Sequence, residues 1–163
     1  MELQIIDNVR RNHALEHATI ALLKQRLEPE TRISGRSTPS GFYLYGNLPT
    51  DVVEQSVKDA LALLQKGESH LAVSDLCGTN LAVGGILTGL SAMLAVGRGR
   101  RLDRVPHGLL AALAAAVLAQ PLGRWIQRNV TTEARVGSLA LASVECRQRG
   151  HLMVHVVKTN NRR

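Results

Sequence analysis

Residues 12–19 read Asn-His-Ala-Leu-Glu-His-Ala-Thr, and within them His13, Glu16 and His17 spell H-x-x-E-H. On a helix, positions i and i+4 project from one face, so both imidazoles can reach one tetrahedral metal ion. Glu16 lies beside them, placed to take a proton from water that the metal activates. This is the inverted zincin arrangement. Outward from the motif, residues 3–27 read as one helix. Ile6, Val9, Ile20, Leu23 and Leu27 recur at helical spacing and form an apolar stripe, and Glu28-Pro29 ends the helix. His13, Glu16 and His17 fall in the same stripe. Three titratable groups turned toward a core need partners, and a metal would satisfy all three. The alternatives are a hydrogen-bonded polar core, or a helix rotated so that these groups face water.

Two histidines leave a ligand to find. Cys77 is the first choice: it follows an expected strand, precedes Gly78, and a thiolate is a strong ligand for a borderline-soft cation. Its plain alternative is a small buried hydrophobe. Asp75, on the same strand face, is second, and Glu133 is third. His151 and His155 lie four apart on a strand, roughly 13 Å, too far to chelate one ion together. They are expected at the hairpin surface or facing lipid.

Beyond the motif helix, residues 31–47 read as a strand pair around the punctuation at 34–41 and the alternating GFYLYG. Pro49-Thr50-Asp51 opens a second helix, about 51–66, burying Val53, Val57, Leu61 and Leu64, with Gly67 suited to its C-terminal cap. A third strand is expected over 70–76. Then 22 uncharged positions (76–97) and 19 more (105–123) flank the basic RGRRLDR segment. A bilayer crossing takes about 20 residues, so both qualify; the alternative is a buried helical hairpin in a soluble protein. Gly85 and Gly89 form a GxxxG pair that lets helices approach closely, and Trp125 suits an interfacial anchor. GSLALASVEC and HLMVHVVK read as an antiparallel hairpin around the Arg147–Gly150 turn.

The net charge is +7, yet up to Asp75 eight Lys/Arg stand against ten Asp/Glu, and beyond it twelve stand against three. Basic edges on apolar segments point to a membrane surface. Neither an RNA-binding aromatic motif nor a zinc-finger spacing is present, so no nucleic-acid partner is expected. Two cysteines, Cys77 and Cys146, make no disulfide framework, and the amphipathic, charged opening is not a secretory signal. Reduced thiols in a cytoplasmic compartment are expected.

The order of features, HALEH, then GFYLYG, then the LPTDVVEQSVKDAL helix, then LCGTN, resembles S-ribosylhomocysteine lyase, the LuxS-type enzymes, over residues 10–80. The resemblance implies His13, His17 and Cys77 as ligands of Fe²⁺ or Zn²⁺, with Glu16 as the acid/base. Pitrilysin-type peptidases share that fold and the H-x-x-E-H motif but take a glutamate as third ligand. The chain is also similar to a bacterial membrane-protein family of unassigned function with HALEHAT and CGTN segments. It departs from the lyase in three ways. Thr38 stands where the lyase has a second catalytic cysteine, the lyase's N-terminal strand region has no counterpart before Met1, and the apolar stretch 76–123 is foreign to it.

The expected fold is α+β: a small antiparallel sheet packed by two helices and interrupted by a transmembrane hairpin. Its divisions are a metal-binding domain (1–75), a helical hairpin (76–126) and a C-terminal β-hairpin (127–163) that completes the sheet. The expected function is a membrane-anchored hydrolase or lyase holding one zinc or iron ion per chain and acting on a small molecule, a peptide or a lipid-derived substrate. The other reading is a non-catalytic integral membrane protein with a structural metal or polar core, serving assembly or interaction. Membrane lipid is an expected partner and a homodimer is compatible with the sequence. The four-arginine segment favours a cytoplasmic loop, which would put the domain outside; the lack of a signal peptide and a thiolate ligand favour a cytoplasmic domain, the placement adopted.

Overall fold

The computed structural model describes residues 2–97, 102–150 and 152–161. The chain forms two compact units, one of Met1–Ser74 with Arg128–Arg163, the other of Asp75–Gln127.

In the first unit, α1 (Glu2–Arg26) carries the H-x-x-E-H motif at its middle. The expected stripe is buried only in part, with Leu23 fully buried and Ile20 and Leu27 packed partly buried against the core. Ile6 is 56% exposed, while Ala14 to Thr19 are all buried, so the helix is enclosed on every side around the motif and free at its start. The reason is that α1 packs at once against the second helix, two strands and the 69–72 turn. Strands β1 (Ser34–Thr38) and β2 (Gly41–Tyr45) form the expected pair. Alternation puts Phe42 and Leu44 into the core and turns Tyr43 and Tyr45 outward. Helix α2 (Thr50–Gln65) buries Val53, Val57, Leu61 and Leu64 as expected, and Gly67 follows its cap at φ +99°.

The tail strands β3 (Leu139–Arg149) and β4 (Leu152–Asn161) complete one antiparallel sheet in the order β1-β2-β4-β3, with a bulge at Leu141/Ser143. The expected strand at 70–76 does not form. Ser69–Ala72 is a 3₁₀ turn instead, and the carbonyl of Ala72 accepts from a histidine of α1 rather than from a strand. With β4 already between β2 and β3, the sheet has no place for this segment beside its inner strands.

In the second unit, α3 (Gly78–Val96) and α4 (Val105–Ile126) run antiparallel. A Cβ at Gly108 would press within 2.6 Å of Val96, and one at Gly123 would collide with Asn80. The buried seam of α4 is Gly108, Ala115, Ala119 and Gly123. The expected close approach at Gly85 and Gly89 is not this seam, since a Cβ at either meets open space. Both helices are long and apolar enough to cross a membrane. No residue of α3 is buried. The arginine-rich segment at 98–101 lies outside the described residues, as does His151.

Candidate metal centre

The motif histidines are oriented by backbone oxygens drawn from distant parts of the first unit. His17 Nδ1 lies 2.8 Å from the Ala72 carbonyl and His13 Nδ1 lies 2.9 Å from the Thr131 carbonyl. A carbonyl only accepts, so both Nδ1 atoms donate, and in the neutral tautomer that makes this bond the lone pair is on Nε2. Metal-binding histidines are held in this way, the outer nitrogen spent on a carbonyl and the inner one left basic. The rings lie 4.3 Å apart, centroid to centroid, and tilted by 59°.

His13, His17 and Cys77 each offer one ligand atom, and these atoms all lie within 4.8 Å of one another. His17 and Cys77 are buried and His13 is half-buried. Cys77 is the N-cap of α3, where its sulfur accepts from the Thr79 N–H at 3.4 Å. Donors gathered within that distance could hold an ion, whose bonds of about 2.0 to 2.3 Å would draw them closer together.

Glu16, one helical position before His17, is 5% exposed. The Ser37 hydroxyl donates to its Oε2. Gly35 lies under the same carboxylate, and a Cβ there would collide with it. Strand β1 thus gives the carboxylate both a donor and room. A buried carboxylate needs such a partner, because an unpaired one is costly to desolvate.

The other expected ligands are elsewhere. Asp75 is exposed and lies 3.3 Å from Arg124. Glu133 Oε1 accepts from both the backbone and the guanidinium of Arg135, which holds its carboxyl below the usual range. His155, expected at the surface, is fully buried. It sits on central strand β4 opposite Leu44 and Cys146, with Nε2 3.1 Å from Thr50 Oγ1 and Nδ1 without a hydrogen-bond partner. Burial pushes its pKa below 6.5. Thr38, at the position of the lyase's second cysteine, donates its hydroxyl to the Gly41 carbonyl across the β1–β2 turn. Sequence reading missed Gly35, Ser37, Ala72 and Thr131, none of which carries a motif of its own.

Fold and site together define an α+β protein with two candidate membrane helices and a His/Cys cluster that could hold a metal ion. The chain belongs to the family described as Domain of unknown function (DUF6391), whose model matches residues 8–144. It is similar to an uncharacterised protein of Picosynechococcus sp., 34% identical over 150 residues, covering 84% of this chain and 71% of the relative. No solved structure matches the chain.

Proposed function

We propose that the chain is an integral membrane metalloprotein in which His13, His17 and Cys77 hold one divalent zinc or iron ion and Glu16 carries a proton in a hydrolytic or lyase reaction. The observation that carries the reading is the pair of carbonyls on His13 and His17, which occupies Nδ1 of each ring and so supports Nε2 as the ligand atom, in a group with Cys77 that could hold an ion. The likeness to the LuxS and pitrilysin folds adds support from the order of motif helix, GFY strand and following helix. An ion held there supplies Lewis acidity and lowers the pKa of water. The donor group has three members among the described residues, and a three-ligand set leaves a position for water or substrate, which a closed four-ligand structural site lacks. Glu16, fixed by Ser37, is the proton carrier; its fixed carboxylate has no torsional search to make during the transfer. The two apolar helices support a reaction at a membrane surface, and a thiolate ligand, which must stay reduced, supports a cytoplasmic side for the first unit.

One observation favours the second reading, a structural metal. Thr38, committed to its own turn, offers no second acid/base. Variants separate the two. Purified protein is expected to carry close to one zinc or iron per chain by elemental analysis, His17→Ala to lose it, and Cys77→Ser to weaken it. Equal metal content in all three removes the site. Glu16→Gln is expected to keep metal and melting temperature while losing turnover. If it loses metal and melts early instead, Glu16 is part of a structural site and the enzymatic reading falls.

A further inference from the structure

The second unit contains a cavity of about 320 Å³ between its two helices. Its inner wall is small and uncharged, made by Gly84 of α3 with Ala116 and Ala119 of α4. Its outer end is polar, where Asp75, Asn80, Gln120 and Arg124 meet. The emptiness beside Gly84 is real space, since a Cβ built there meets nothing within 4 Å. The polar end is itself ordered. Asn80 donates to the Asp75 carbonyl at 3.1 Å and accepts from Gln127 at 2.7 Å, and Gly123 leaves room for its side chain. Arg124 makes one contact of 3.3 Å with Asp75, which occupies one of the five N–H donors of its guanidinium. Cys77 stands in sequence between Asp75 and Asn80, at the same helix end.

We propose that this cavity seats a phosphate-bearing lipid amphiphile, with its apolar chain along Gly84, Ala116 and Ala119 and its headgroup phosphate on Arg124 and Gln120. The inference rests on the membrane reading of α3 and α4 and names lipid-derived material as the substrate class for the proposed function. The arrangement is that of an amphiphile in a bilayer. Apolar contact lies within the span, and the charged donors lie at the helix ends, where a headgroup sits. An arginine fork matches a phosphodiester better than it matches neutral headgroups. The small residues leave a groove in which one hydrocarbon chain replaces a neighbouring helix.

Full-length protein in mild detergent, offered phosphatidylglycerol or phosphatidylcholine, tests this by native mass spectrometry. Wild type is expected to retain phosphatidylglycerol about tenfold better, the scale of one charge-assisted hydrogen bond. Gly84→Leu and Ala116→Leu, which fill the cavity from its two sides, are expected to lose retention. Gly85→Leu makes the same change one residue along on the exposed face and is expected to keep it. Arg124→Gln is expected to remove the headgroup preference. Equal retention by Gly84→Leu and Gly85→Leu, no preference between the lipids, or full competition by inorganic phosphate alone overturns the proposal. Carbonate washing of membranes keeps the causes apart. A resistant chain with unselective lipid binding sinks only the cavity, whereas a chain released to the supernatant sinks the membrane reading and the cavity with it. Metal content measured on the same variants reports on the His/Cys site separately.

Discussion

Gly35 is the residue on which the buried Glu16 carboxylate depends. A methyl group there must displace either the carboxylate or β1, and overpacking of this kind costs about 1–3 kcal/mol. Gly35→Ala is therefore expected to lower the melting temperature, and the loss is expected to shrink in Gly35→Ala/Glu16→Ala, where the obstacle is gone. Purely additive effects in that double-mutant cycle would show that the two side chains do not share space. His155 makes a second residue-scale prediction. Its folded pKa lies below the 6.5 of the unfolded chain, so below about 6.5 the unfolded state binds more protons than the folded one. Its contribution to stability is full above that value and is lost as pH falls toward the folded pKa. His155→Gln is expected to flatten the fall in melting temperature between pH 7 and 5; an unchanged slope would show that other groups cause it. His13, Glu16 and His17 were legible because their relation is local, three and four residues on one helix. Their supports were not, since the carbonyl on His13 comes from 118 positions away and no spacing rule reaches that far.

Elements whose burial is one-sided were legible in the sequence, and those enclosed on several sides were not. In α2, and in β2 with its Phe42/Leu44 alternation, a single face is apolar and the period gives the element away. The middle of α1 is buried all round, so its pattern points to no one face, and the expected stripe holds at Leu23 but fails at Ile6. Residues 70–76 are apolar enough for a strand, but turn at Ser69–Ala72 because the carbonyl there is taken by His17. What anchors α1 to the sheet is also invisible locally. Asn12, fully buried, donates to the Thr38 carbonyl at 2.9 Å and accepts from Thr159 Oγ1 at 2.7 Å, joining α1 to β1 and β4. Asn12→Ala leaves both partners without it, at a cost of about 1–3 kcal/mol. Chemical denaturation should show that loss with an unchanged slope. A loss under a few tenths of a kcal/mol would mean that water replaces the amide.

At the scale of the whole molecule, the uneven charge of the sequence has a structural counterpart. The net −2 portion up to Asp75 supplies α1, β1, β2 and α2, and the basic remainder supplies the two apolar helices and the last two strands. The first unit is discontinuous, so residues 1–75 alone would lack β3 and β4 and leave β2 an open edge. The separable piece is Met1–Ser74 joined to Arg128–Arg163. Val73 and Arg128 line one cavity, so a short Gly/Ser linker can replace Asp75–Gln127. The deleted stretch takes both candidate membrane helices with it, and also Cys77. Full-length protein is expected to resist carbonate extraction, and the deletion variant to be soluble without detergent with its α+β circular dichroism intact. The histidines and their carbonyls remain in that variant, so it is expected to bind zinc still, but more weakly. The loss should exceed the roughly 10- to 100-fold that changes around a ligand produce, because a ligand itself has gone. Zinc affinity equal to that of the full chain would remove Cys77 from the site. Adding Cys77→Ser to the full chain should then reproduce the deletion variant's affinity, which ties the weakening to the sulfur and not to the missing helices.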